Sequence, residues 1–310
     1  MNTLTRLLLA VLLTTLTANA EQYVIAHRGA SGYLPEHTLE AYAFAYAQGA
    51  DHIEPDLVLT KDKTFVCMHD IELEDTTNVE QVFPDRKRSD GHWYAGDLTL
   101  AEIKSLQAEE RLPKRFPQGA PGFQVPTFEE MIQLIQGLNK TTGRNVGIYP
   151  ELKQPAWHDT NNLPMEAAFL DICTKYGYTG KDAKIFVQCF EPAPLMKMRK
   201  DLKSELPQIM LISSSALQAQ MITDTGLTQI ATFANGIGPD LMLIEKDPAL
   251  IDRAHKLGLQ VHPYTLRKDL YPPKYKSFEE AVTTYFDTYK VDALFTDFPD
   301  ISVNHLRTKK

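Results

Sequence analysis

Residues 23–60 read YVIAHRGASGYLPEHTLEAYAFAYAQGADHIEPDLVLT. Two apolar runs, 23–27 and 52–60, flank an Ala- and aromatic-rich helical pattern at 39–48 that Gly49 closes. A helix-length connection between two such runs predicts a parallel strand-helix-strand unit. The alternation continues. Further strands are expected at 145–151, 184–190, 208–213, 234–244 around a Gly-x-Gly-Pro interruption, 260–265 and 293–296, with helices at 127–138, 165–176, 193–205, 248–257 and 278–289. Eight strands in this order predict an α/β fold, a TIM (β/α)8 barrel, although an open doubly wound sheet shares the alternation. The glycine spacing of a dinucleotide fingerprint is missing from His27-Arg28-Gly29-Ala30-Ser31-Gly32.

One segment breaks the pattern. Only Lys61-Asp62-Lys63 and Thr64 separate the second strand from the apolar run 65–68, and so tight a link joins antiparallel strands. With the turn near Asp62, His69 returns roughly opposite Asp56. Residues from about 72 to 122 are polar and Pro-containing, with Asp85-Arg86-Lys87-Arg88 and one brief helical piece at 100–108. They read either as a small insertion subdomain over the open end of the barrel or as a solvated loop.

The first 20 residues, with Arg6, an apolar run and Ala18-Asn19-Ala20, carry the marks of a cleaved secretory signal peptide. The expected mature domain is 21–310, in the periplasm. A net charge of −8 argues against binding of nucleic acid through phosphate neutralisation. Cys67, Cys173 and Cys189 show no metal-ligand spacing and read as buried thiols, with one disulfide left open.

The chemistry gathers at strand ends. Glu54 and Asp56 lie two apart on one strand and therefore point to one face, where two like charges need a cation or a salt bridge; the strand-end position favours a metal. Glu151-Leu152-Lys153 repeats the spacing, adding a third carboxylate and a cation placed to meet phosphate. Three carboxylates suit Ca²⁺ or Mg²⁺ better than zinc. His27 and His69 end the first strand and the hairpin arm; two imidazoles can deprotonate an attacking oxygen and protonate a departing one. Arg28 is placed to bind a non-bridging phosphate oxygen. Gln188, Tyr264, His262 and Asp297 end other strands and are expected on the far wall. His52 lies deeper in the barrel, whereas His37, His92, His158, His255 and His305 suit structural or solvent roles.

His27-Arg28-Gly29, Pro35-Glu36-His37-Thr38, Glu54-x-Asp56, His69-Asp70, Glu151-Leu152-Lys153, Gln188-Cys189-Phe190, His262-Pro263-Tyr264-Thr265 and Phe295-Thr296-Asp297-Phe298-Pro299-Asp300 resemble, in order and spacing, the glycerophosphodiester phosphodiesterase family. The long insertion and Gly236-Ile237-Gly238-Pro239-Asp240 resemble its periplasmic bacterial branch. The resemblance implies a barrel with an insertion after the second strand, and metal-dependent hydrolysis of deacylated phospholipids such as glycerophosphocholine and glycerophosphoethanolamine. The products would be sn-glycerol 3-phosphate and an alcohol. By the same resemblance Glu54, Asp56 and Glu151 are metal ligands, for Ca²⁺ with Mg²⁺ as the alternative. His27 and His69 are the acid/base pair, and Arg28 and Lys153 bind phosphate. An internal attack by the glycerol 2-hydroxyl, through a cyclic phosphate, is also implied.

His27 is taken as base and His69 as acid, an assignment the sequence leaves open. Pro55 should disturb local strand pairing. A lipid-surface phospholipase of related fold and a non-catalytic glycerol phosphate binder are the rivals. No stable membrane association is expected, and the oligomeric state is open, a homodimer being one option.

Overall fold

The first apolar run ends up between two others, which is what closes the architecture. The computed structural model describes residues 22–309. Tyr23–His27 pairs in parallel with Ala293–Thr296 on one side, from Tyr23 opposite Ala293 to Ala26 opposite Thr296. On its other side it pairs with His52–Glu54, His27 lying opposite Glu54. The succession continues through the third strand to Val187–Cys189, Gln208–Ile212, Gly236–Pro239 and Gln260–Val261, all parallel. Asp292 N–H donates to Val261 O at 3.0 Å and Phe295 N–H to Pro263 O at 3.1 Å, joining the seventh strand to the eighth. The ring is shut, so the open-sheet alternative falls.

Two strands are split. The second consists of His52–Glu54 and Asp56–Leu59, and the third of Gly147–Ile148 and Glu151–Leu152. Pro55 and Pro150 lie in the breaks, where proline has no N–H to give. Their carbonyls still serve: Glu151 N–H donates to Pro55 O and Gln188 N–H to Pro150 O, both at 2.9 Å. The disturbance expected from Pro55 is therefore real, and Pro150 repeats it.

Inside the barrel Ile25, Tyr149, Ile209, Ala293 and Phe295 form a buried layer. His52 meets Tyr23 edge-on at 5.4 Å, and a Cβ on Gly147 would lie 2.4 Å from its ring, so Gly147 makes room for the imidazole. The helices pack outside. Leu39–Gln48 starts at Thr38, whose side chain accepts from Ala41 N–H, and stops at left-handed Gly49. Phe128–Thr142 opens on a Thr127/Glu130 capping box and outruns the expected 127–138, because Gly143 is what ends it.

Several expected bounds need correction: the strands shorten to Gln260–Val261 and Val187–Cys189, and the helix expected at 193–205 ends at Lys200. The stretch 234–244 is a strand only over Gly236–Pro239; Asp240 then accepts from Met242 N–H and caps the helix Leu241–Lys246. The piece at 100–108 is helical only over Leu100–Ile103.

The hairpin is present, with Phe65–Cys67 antiparallel to Asp56–Leu59, but Met68 rather than His69 stands opposite Asp56. Outside it lies a second apolar cluster: Val58 and Val66 pack with Ile71, Leu73, Trp93, Tyr94, Leu98 and Ile103. The 72–122 segment is thus held to the hairpin by its own buried side chains. Cys67, Cys173 and Cys189 are buried free thiols. Among the described residues no helix is long and apolar enough to cross a membrane. The expected signal peptide lies outside the described residues.

Candidate active site

Strand register gathers the chemistry at one level. His27 pairs with Glu54, Asp56 with Glu151, and Glu151 with Gln188. Carboxylate oxygens of Glu54, Asp56 and Glu151 consequently lie within 4.8 Å of one another, all three residues being buried. So dense an acidic group resists full ionisation. Burial and the Asp56 charge push Glu54 well above the usual carboxylate range. Burial likewise pushes Glu151 up to about 8, although Lys153 pulls against it. Burial opposes ionisation of Asp56 too, but Lys153 and the hydrogen bond from His37 outweigh it and hold that carboxyl well below its ordinary range.

This donor set fits a hard divalent cation. Every donor is oxygen, and Asp56 Oδ1 is buried without a hydrogen-bond partner. Four of the other ligand oxygens are held in place. Glu54 Oε2 accepts from Arg28 N–H at 2.7 Å and Oε1 from Gln188 Nε2 at 2.9 Å. His37 Nε2 lies 2.9 Å from Asp56 Oδ2, while its Nδ1 is 2.9 Å from Tyr42 Oη. Lys153 Nζ lies 2.8 Å from Glu151 Oε1.

The turn after the first strand explains Arg28. Arg28 has φ +58° and Gly29 φ +83°, and a Cβ at Gly29 would lie 2.8 Å from the Ala41 carbonyl carbon. That turn aims the Arg28 N–H at Glu54. Its guanidinium meets both Glu36 oxygens at 3.1 Å and comes within 3.3 Å of Asp56 Oδ2.

Each imidazole at this rim has an aspartate behind it. His27 Nδ1 donates to Asp297 Oδ1 at 2.7 Å, and His69 Nδ1 to Asp70 Oδ1 at 2.6 Å. In the neutral ring this leaves each Nε2 lone pair free. Burial and Arg28 push His27 down to about 3 against the pull of Asp297. Burial, Arg28 and Lys153 push His69 down to about 4. Burial and the neighbouring cations thus disfavour the charged form of both rings.

A cavity of about 450 Å³ opens above the cluster, lined by His27, Arg28, Glu54, His69, Glu151, Gln188 and Tyr264 among others. Lys153 lines a smaller recess beside it, together with His69 and Glu151. Asp56 sits fully buried next to both through its contacts with Arg28 and Lys153.

Three placements differ from expectation. His262 is not on the wall but inside the barrel, 2.7 Å from Tyr149 Oη, because its side chain points into the aromatic layer. Asp297 stands behind His27 instead of lining the cavity. His37 is more than a structural loop residue, since it holds Asp56.

Glu36 and Asp70 were quoted only within motifs, with no role of their own, and Arg111, Arg115 and Arg267 were not singled out by sequence reasoning. His69-Asp70 adjacency was the one available signal; the arginines come from distant loops. Met242 and Leu270, 60% and 70% exposed, also stand at the cavity mouth without having drawn notice in the sequence.

The model of the glycerophosphoryl diester phosphodiesterase family matches residues 27–301. A glycerophosphodiester phosphodiesterase of Haemophilus influenzae is 34% identical, over 93% of this chain and 90% of its own. One of Treponema pallidum is 32% identical, over 93% and 92%. The solved structure of an Oleispira antarctica phosphodiesterase in complex with the product sn-glycerol-3-phosphate superposes with a TM-score of 0.68. At 22% identity over 93% of this chain and 97% of that one, it shows a shared fold.

Proposed function

The chain belongs to the glycerophosphoryl diester phosphodiesterase family, and we propose that His27 and His69 are its acid/base pair around a cation held by Glu54, Asp56 and Glu151. The reaction is metal-dependent hydrolysis of glycerophosphodiesters to sn-glycerol 3-phosphate and an alcohol. One observation carries the site reading: two Asp-backed imidazoles line the same cavity as Glu54 and Glu151, with Asp56 buried directly behind them in one carboxylate cluster. A non-catalytic binder has no use for two such rings.

When bound, the cation would neutralise the phosphodiester and favour a more negative transition state. The protein's own groups do the rest. Arg28 and Lys153 draw the phosphate oxygens to the cluster. His27 Nε2 takes the proton of the attacking oxygen, the glycerol 2-hydroxyl, as that oxygen bonds to phosphorus. The bond from phosphorus to the alcohol oxygen breaks, and His69, protonated beside the anionic substrate, gives that oxygen its proton. Water then opens the cyclic phosphate with the two roles reversed.

Calcium is the proposed ion, supported by three carboxylates with no nitrogen or sulfur donor; magnesium is the alternative. A periplasmic location is proposed from the leader-like first 20 residues. The decisive experiment is turnover of glycerophosphocholine after chelation and re-addition of Ca²⁺, Mg²⁺ or Zn²⁺. Loss on chelation and recovery best with Ca²⁺ is expected; full activity in chelator would remove the role given to the carboxylates.

A further inference from the structure

Arg111 and Arg115 leave one short turn of the 72–122 segment and reach different aspartates. Arg115 N–H donates to Leu112 O at 3.0 Å, and Gln118 Nε2 donates to the carbonyls of Glu110 and Arg111 at 3.2 and 3.3 Å, which fixes the turn. From it Arg111 Nη2 comes within 3.1 Å of Asp70 Oδ2, while Arg115 Nη2 donates to Asp297 Oδ2 at 2.7 Å. The oxygens are shared out in the same way twice. In each aspartate Oδ1 serves the imidazole and Oδ2 serves an arginine of the insertion.

The surroundings are built rather than incidental. The Arg115 side chain is only 6% exposed; it also donates to both oxygens of Asp269 at 2.8 and 3.0 Å and to Ser31 O at 3.1 Å. Arg111 further bonds Glu36 Oε1 at 2.6 Å, and Glu36 holds Arg28. Arg267, from the loop after the seventh strand, adds a second contact to Asp297 Oδ2 at 2.8 Å. Neither Arg111 nor Arg115 lines the main cavity, so neither is placed to touch substrate there.

We infer that Arg111 and Arg115 are positioning residues, through which the insertion sets the orientation of both His-Asp pairs and so completes the acid/base machinery. The inference rests on the acid/base reading of His27 and His69 given above. An aspartate gripped on its far oxygen cannot rotate away from its imidazole, and it stays ionised. Burial opposes ionisation of Asp297, yet His27, Arg267 and Arg115 hold it far below the usual carboxylate range. Asp70, with His69 and Arg111 against burial, is held at about 2.

The test is steady-state kinetics of the Ca²⁺-loaded full chain on glycerophosphocholine. Arg115→Ala is expected to lower kcat about 10- to 100-fold with KM within about twofold, as loss of an orienting partner does. Arg111→Ala is expected to cost about tenfold, because Asp70 is the more exposed carboxylate. Arg115→Lys keeps charge without the fork and should recover part of the loss; it also keeps the test alive if the alanine variant fails to fold, which near-UV circular dichroism reports. In the double variant Arg115→Ala with Asp297→Asn, the loss should equal that of Asp297→Asn alone.

Wild-type kcat in both arginine variants would overturn the inference. So would a change confined to KM, or losses that multiply in the double variant. If His27→Ala itself kept full turnover, the acid/base reading would fall; an inactive His27→Ala beside an unaffected Arg115→Ala would sink only the role of the insertion.

Discussion

Four histidines, three buried and His69 half-buried, sit in or over this barrel in two tiers with different fates. His27 and His69 stand at the rim, each with an aspartate on Nδ1 and a cavity before it. His52 and His262 lie below, 1% and 0% exposed, among Tyr23, Tyr149 and Phe186. Neither Nδ1 nor Nε2 of His52 has a hydrogen-bond partner, and His262 has only the Tyr149 hydroxyl. Burial pushes the imidazoles of both tiers down. A lowered pKa is thus no mark of chemistry here. What separates the tiers is a carboxylate behind the ring and open space in front of it.

The sharpest way to break this comparison is to remove one ring from each tier. His27→Ala should lower turnover of glycerophosphocholine by about 10³-fold, the range in which a positioned general base acts. His69→Ala should do as much on that substrate, measured as kcat at saturating Ca²⁺. A p-nitrophenyl diester of glycerol phosphate separates the two roles, since its departing phenolate needs no proton. On it the single-turnover release of p-nitrophenolate by His69→Ala should stay within about tenfold of wild type while His27→Ala stays inactive, because only the later opening of the cyclic phosphate calls on His69 as base. Equal collapse of both variants on both substrates would reverse or merge the assignment.

Next come the aspartates. Asp297→Asn should cost about 10²-fold, because the amide favours the wrong tautomer of a ring with no other partner. Asp70→Asn should cost about tenfold, since His69 and Asp70 side chains are each 29% exposed and water can take part of the load. The reverse order would refute the link between burial and dependence.

The smallest effect belongs to the lower tier. His52→Leu should leave kcat at neutral pH within about twofold, because the ring touches no reacting group. Its signature lies in acid stability. A ring whose folded value is lowered binds fewer protons than the unfolded chain, whose value is 6.5. Below that value stability therefore falls as pH falls, by about 1.4 kcal/mol per pH unit for each such histidine. The Tm of His52→Leu should accordingly decline less steeply below pH 6.5 than that of wild type; parallel curves would show that the ring takes up its proton without cost.

The barrel was legible because its signal is local: short apolar runs alternate with helical patterns, and the Pro55 break could be read off one residue. Glu54, Asp56 and Glu151 were legible for the same reason, each lying at a strand end beside a same-face partner. The aspartate behind His69 was next to it in sequence. The one behind His27 was not, since 270 positions separate His27 from Asp297 and only strand closure joins them. His262 was misplaced because period-two alternation tells which residues share a face, not how deep in the barrel they end. The grip of Arg111 and Arg115 depends on how the 72–122 segment folds back over the rim, and polar composition does not encode that path.

The His27–Asp297 contact also imposes an order of events. The ribosome makes His27 270 residues before the carboxylate that will orient it, and the first strand cannot complete its pairing until Ala293–Thr296 arrives. Partly synthesised chains, even with their carboxylate cluster assembled, would leave His27 without the partner that orients its ring. Any chain that stops short of Asp297 therefore holds its first-strand imidazole with no carboxylate behind it, so the order of synthesis makes this pair one of the last contacts to form.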